Sequence, residues 1–218
     1  MDAYLARAAL LLRLGRDGDA LGAWSAAITA AQNRPDLYHE RALIYVRKGM
    51  LDLAIADFTK ELELKPDASA ASDALGSVLA QRGFFLQAIN SLTKGIEKKP
   101  TEARLYYSRG LTYHGTGKID LAIADYTKAS ELQPDRAEFY VRRGWAYHQR
   151  GDDTKAMLDV DKAISAAPWD AQYLEIRGMI QESLHHVGEA IADYAQALTL
   201  DEHRTVAAQR LRRLAAGP

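Results

Sequence analysis

Residues 106–135 read YYSRGLTYHGTGKIDLAIADYTKASELQPD, and residues 37–67 read LYHERALIYVRKGMLDLAIADFTKELELKPD. Aligned, they match Tyr38 with Tyr106, Arg41 with Arg109, Gly49 with Gly117, Ala54 with Ala122 and Pro66 with Pro134. Working outward from these stretches, Pro66, Pro100, Pro134 and Pro168 follow one another at intervals of 34 residues. Self-similarity at such a period marks stacked supersecondary units, each too small to bury its own apolar face. The period divides the chain into six copies, 1–34, 35–68, 69–102, 103–136, 137–170 and 171–204, and leaves a tail. The whole of 1–218 therefore reads as one repeat domain.

Numbering positions 1 to 34 within each copy exposes the rule. Position 8 is small (Ala8, Ala42, Gly76, Gly110, Gly144, Gly178), and position 20 is alanine in every copy, from Ala20 to Ala190. Position 24 is bulky: Trp24, Phe58, Leu92, Tyr126, Val160 and Tyr194. Position 27 is small except at Glu61. Positions 20, 24 and 27 share one helix face. Small residues let two helices approach, and a large one fills the seam. Glycine at position 15 (Gly15, Gly49, Gly83, Gly117, Gly151, replaced by His185 in the last copy) ends a first helix, and the proline ends a second. Asp67, Thr101, Asp135 and Asp170 stand where a side-chain oxygen would cap the next helix. Each copy thus predicts helix A, a turn and helix B. Arginine at position 7 (Arg41, Arg109, Arg143, Arg177) accompanies aspartate at position 23 (Asp57, Asp125, Asp159, Asp193), which predicts a bridge between helices A and B.

The two quoted stretches closely resemble the tetratricopeptide consensus, of the bacterial type, and the resemblance runs through all six copies in phase. It implies an all-α, right-handed superhelical solenoid of six helix–turn–helix repeats, with helix A on the concave side and helix B on the convex side. Gln32 and Glu202 replace the expected proline in the terminal repeats. The tail, with Val206, Leu211 and Leu214 opposite Arg210, Arg212 and Arg213, is expected to form a capping helix over 205–216.

Composition narrows the chemistry. Lys and Arg number 28 against 29 Asp and Glu, so no basic surface calls for nucleic acid. No cysteine is present, which excludes disulfides, thiolate metal sites and cysteine nucleophiles. No apolar run approaches the roughly 20 residues that span a bilayer. Met1 to Leu14 is apolar, but Asp2 stands where a secretory leader carries positive charge, and Arg7 and Arg13 interrupt the run. It reads as a helix, and a cytoplasmic setting is expected. Every Ser, His and Asp sits on a repeat position that already explains it, and the glycines are helix stops. Neither an enzyme nor a cofactor or metal requirement is expected.

The resemblance also implies a site: partner peptides of such proteins lie along helix A positions 2, 5, 6, 9, 12 and 13. Transferred here, these give Arg104, Tyr107, Leu111 and His114 in repeat 4, Val141, Arg142, Trp145 and His148 in repeat 5, and Met179 in repeat 6. Tyr107, Leu111, Trp145 and Met179 are expected as apolar groups on an inner surface, with Trp145 the anchor and Arg104, Arg142, Glu138 and Glu175 at the rim. The Lys and Asn clamp that some relatives use for a C-terminal carboxylate has no counterpart, since the matching positions hold Leu5, Ala9, Leu43, Ala70 and Ala74. His114, His148 and Glu182 share position 12, a row better read as groove histidines than as metal ligands. A protein or peptide partner is therefore expected. The alternative is a homo-oligomeric assembly scaffold formed through repeat 1 or the apolar turn Phe84-Phe85-Leu86. Trp169 is expected either to cover the seam between repeats 5 and 6 or to extend the ligand face. Ser72 in place of tyrosine, and Gly95 inside helix B, make repeat 3 the weakest interior copy.

Overall fold

The computed structural model describes residues 2–31 and 33–215. Among them are thirteen helices and no strands: α1 (Asp2–Arg13), α2 (Asp17–Ala30), α3 (Pro35–Arg47), α4 (Leu51–Leu64), α5 (Ser69–Gln81), α6 (Phe85–Lys98), α7 (Ala103–Gly115), α8 (Ile119–Leu132), α9 (Ala137–Gln149), α10 (Asp153–Ala166), α11 (Ala171–Ser183), α12 (Val187–Leu200) and α13 (Thr205–Ala215). Odd-numbered α1 to α11 are the predicted helices A and even-numbered ones the helices B. Gln32 and Ala216, both used in the sequence reading, lie outside the described residues.

The contacts group into two units, residues 1–112 and 113–218. In the first, α1 pairs with α2, α3 with α4 and α5 with α6, and each pair meets the next through α2–α3 and α4–α5. In the second, α9 pairs with α10, α11 with α12, and α8–α9, α10–α11 and α12–α13 join successive pairs. From α1 to α6, and again from α8 to α13, every helix packs on its chain neighbour, which is how repeats bury faces they cannot cover alone.

The seam follows the predicted rule. Ala8, Ala20, Ala27, Ala42, Ala54, Phe58, Ala88, Leu92, Ala156, Val160, Ala190 and Tyr194 are all buried. A Cβ on Gly144 would stand 2.8 Å from Val160 Cγ2, and one on Gly178 2.8 Å from Tyr194 Cε1, so position 8 must be small where position 24 is large. The turns close alike: Met50 N donates to Tyr45 O at 2.8 Å and Asp152 N to Tyr147 O at 2.9 Å, the six-residue loop of a Schellman ending. His186 N donates to Gln181 O at 2.9 Å in the same way, so His185 adopts φ 62°, a left-handed conformation costly for a side-chain-bearing residue.

Capping departs from the sequence reading. Asp170 caps α11 by accepting from Gln172 N at 2.9 Å, but α5 and α9 begin after Ala68 and Arg136 with no side-chain cap. Asp67 and Asp135 stand one residue earlier in the repeat than Asp170, outside capping reach. Asp67 instead pairs with Lys99 at 3.5 Å.

The tail forms α13 in the register of one more helix A. It buries Ala207 completely and lays Leu211 and Leu214 against the core of Leu174, Ala190 and Tyr194.

Candidate functional site

The Arg–Asp pairs are present in repeats 2, 5 and 6. Arg41 donates to both oxygens of Asp57 at 2.7 Å, Arg143 to Asp159 at 2.6 and 2.7 Å, and Arg177 to Asp193 at 2.8 Å. The fourth couple, Arg109 and Asp125, has one member in each unit. The same arginines also reach position 25 of the preceding helix B: Arg41 to Ser25 at 3.1 Å, Arg109 to Thr93 at 3.0 Å, Arg143 to Thr127 at 3.2 Å and Arg177 to Asp161 at 2.8 Å. One side chain thus fastens its own helix pair and ties it to the preceding repeat. The hydrogen bond to Asp193, outweighing burial, holds the Arg177 guanidinium well above its usual pKa.

On the helix A face of the first unit, Arg104 is exposed and bonds Asp73 at 3.2 Å, and Leu111 is exposed as expected. Tyr107 is buried, with the Arg104 guanidinium 5.6 Å from its ring centroid. In the second unit Val141 is only 2% exposed, inside the core formed with Tyr173 and Ile176. Tyr107 is therefore not the open apolar group that the sequence suggested, and Val141, expected among the groove positions, is likewise buried. Both occupy position 5, and in the second unit Val141 packs toward the next helix A, against Tyr173 and Ile176 of α11. Asp73, at the same position in repeat 3, accepts from Ser108, and Glu175 accepts from Ala207 N at 3.1 Å and Arg204 at 2.5 Å. Glu175 is accordingly buried as well, and fastens α13 rather than lining a rim.

Around α9 and α11, which touch directly, the second unit keeps a mixed surface. Trp145 and Met179 pack their inner edges on the Val141–Ile176 core and remain partly exposed. His148 lies one turn beyond Trp145, ring centroids 5.2 Å apart, and its Nδ1 is 2.5 Å from Asp153 Oδ1. Arg142, three residues before Trp145 on the same helix face, is partly exposed and makes no ion pair or hydrogen bond among the described residues. The other arginines of α9 and α11, Arg143 and Arg177, are both committed to aspartates. The surface therefore offers an aromatic edge, a fixed imidazole and an uncommitted guanidinium within two helical turns.

The position-12 row does not converge. His114 Nε2 sits 2.5 Å from Gln149 Oε1, His148 is held by Asp153, and Glu182 accepts from Tyr194 at 2.9 Å and Arg210 at 3.0 Å while also pairing with Arg213. Among the described residues no three His, Cys, Asp or Glu side chains gather as a metal site, and no helix is long and apolar enough to cross a membrane.

Trp169 does not cover the seam of repeats 5 and 6; it is 71% exposed in the α10–α11 loop. Phe84, Phe85 and Leu86 are exposed together at the α5–α6 turn, Leu86 at 73%.

Residues 103–136, and separately 35–68 and 137–168, match family models described as tetratricopeptide repeat. No curated protein matches the chain. Among solved structures, MamA superposes with TM-score 0.69 at 25% identity, over 76% of this chain and 97% of that one. YrrB, described as a TPR protein with an unusual peptide-binding site, gives 0.66 at 18%, over 87% and 97%. The Cut9–Hcn1 hetero-tetramer of the APC/C gives 0.78 at 18%, over 97% of this chain and 42% of its own. Six copies in phase, helix pairs closed by the same small–large seam and these matches agree: the chain belongs to the tetratricopeptide-repeat family, whose fold serves protein–protein interaction.

Proposed function

We propose that the protein is an adaptor that binds a peptide or helical segment of a partner protein on the helix A face of repeats 5 and 6. The carrying observation is the uncommitted Arg142 beside the partly exposed Trp145–His148 pair, on a helix whose other arginine is tied to Asp159. Tryptophan and arginine dominate binding energy when a partner desolvates them, and rim charges chiefly set orientation. Met179 supplies adaptable apolar area on the neighbouring helix. Val141 supports the surface from beneath, and His114 is fixed by Gln149 further along α7. Arg104, Tyr107 and Leu111 belong to the first unit, where Arg104 and Leu111 are exposed on α7 and Tyr107 braces Arg104. The fold-level likeness to YrrB points in the same direction by analogy only.

The test is affinity enrichment followed by titration of the recovered partner with the parent, Trp145→Ala and Lys128→Ala on α8. Trp145→Ala should weaken binding by about 2 kcal/mol, roughly thirtyfold, with Lys128→Ala unchanged. A folded Trp145→Ala protein that binds as tightly as the parent would refute the assignment.

One observation favours a second reading, a self-associating scaffold: Phe84, Phe85 and Leu86 form a contiguous exposed apolar turn, and Leu10 and Leu14 are exposed in repeat 1. A mass that rises with concentration and drops to the monomer in Leu86→Asp would select it.

A further inference from the structure

On the helix B side of the first unit, between α4 and α6, an open cavity of about 500 Å³ is floored by Ser72, Leu75 and Leu79 of α5 and walled by Leu62, Ser91 and Lys94 among others. Elsewhere the chain fills the equivalent place itself. In repeat 5, Tyr140 (position 4) is buried, with its hydroxyl 3.5 Å from the backbone oxygen of Ser130. Lys162 Nζ (position 26) stands 4.1 Å from the centre of that ring, and the Arg143 guanidinium lies 5.5 Å from it on the way to Asp159. Repeat 3 keeps the lysine, as Lys94, and an apolar residue, Leu62, at the place of Ser130. It has Ser72 for the tyrosine, Leu75 for the arginine and Ser91 for the aspartate. The ring is gone, its cation remains, and Ser91 Oγ is buried without a hydrogen-bond partner.

We propose that this cavity is a socket for a tyrosine side chain presented by a partner polypeptide, separate from the α9–α11 surface. Three features select that occupant. The cavity stands at the place that a tyrosine ring fills in repeat 5, with Ser72 in place of that tyrosine and the position-26 lysine kept. Lys94 is positioned to meet an aromatic face, as Lys162 does. A phenolic hydroxyl can satisfy Ser91 Oγ, which a plain apolar group would leave unpaired at a cost. An arginine from a partner would not find the aspartate that holds Arg143, because Ser91 stands in its place and the carboxylates of the lining are those of Glu63 and Glu97.

The experiment titrates N-acetyltyrosinamide into the full chain and follows the methyl resonances of Ile55, Leu62, Leu75 and Leu79, with cyclohexanol as a probe that keeps a hydroxyl but lacks an aromatic face. Expected are saturable shifts confined to these methyls, binding at least about fivefold tighter than cyclohexanol, and a two- to fivefold weakening in Lys94→Ala. Ser72→Tyr, which supplies the ring from within, should abolish them. Should Ser72→Tyr fail to fold, as judged by circular dichroism, the methyl map of the parent and the Lys94→Ala comparison carry the test. No saturable shift, equal binding of cyclohexanol, or undiminished binding by folded Ser72→Tyr would each overturn the proposal.

Discussion

Repeats 3 and 5 are built on the same seam, yet they finish their surfaces in opposite ways. In repeat 5 the helix B side is closed by Tyr140, Arg143 and Asp159, while its helix A side carries Arg142, Trp145 and His148. In repeat 3 the helix A side is small, with Ala70, Ala74 and Ser77, and the helix B side opens over Ser72 and Leu75. The framework positions 8, 20 and 24 are filled in both, by Gly76, Ala88 and Leu92 and by Gly144, Ala156 and Val160. The framework therefore fixes the fold, and the remaining positions decide which side of a repeat is available to another molecule. Stability in such arrays is approximately a sum of repeat and interface terms, so each copy can be altered with mainly local effect.

The largest expected contrast lies at position 23. Asp159→Ala strands the largely buried Arg143, which also ties repeat 5 to Thr127, and should cost about 3 kcal/mol in urea denaturation. Ser91→Ala, at the same position in repeat 3, removes only an unpartnered hydroxyl and should change stability by less than about 0.5 kcal/mol. Similar losses at the two sites would break the comparison.

The turn that departs from glycine sharpens it next. His185 holds φ 62° where five sister turns use glycine, so His185→Gly should raise stability by about 1 kcal/mol. Gly151→Ala, in the turn of repeat 5, should lower it by a similar amount.

A smaller effect is expected in repeat 2, where position 27 is Glu61 instead of a small residue. His39 Nδ1 lies 2.8 Å from Glu61 Oε2, and that hydrogen bond, against the opposing effect of burial, raises the imidazole above its usual value of 6.5. A raised folded-state pKa means the stabilisation is complete below about pH 6.5 and is lost as pH rises through the folded value. The advantage of the parent over Glu61→Gln should thus be under about 1 kcal/mol at pH 5.5 and shrink toward pH 8. A gap that widens with pH would contradict this pairing.

Much of this was legible in the sequence because the repeat amplifies weak signals. Six in-phase copies expose the small–large seam, and the co-occurrence of position 7 arginine with position 23 aspartate gives the bridge directly. The second arm of that arginine was equally present, since position 25 carries Ser25, Thr59, Thr93, Thr127 and Asp161, but a within-repeat pairing already accounted for the charge. Position 5 misled because exposure depends on the next helix A. Val141 and Glu175 look free along one helix and are covered once α11 and α13 are stacked beside them. Trp169 misled in the other direction: a large apolar side chain in a loop suggests cover for a seam, yet short loops leave it standing in solvent. The cavity of repeat 3 needed coordinates, since absent side chains at positions 4, 7 and 23 could also have been answered by closer packing.

The central claim, that the helix A face of repeats 5 and 6 receives a partner, is tested most directly by backbone amide exchange of the full chain with and without the recovered partner. The account predicts slowed exchange over α9 and α11, centred on Trp145, and loss of that protection in Trp145→Ala. Saturating partner that leaves the exchange of α9 and α11 unchanged would contradict it.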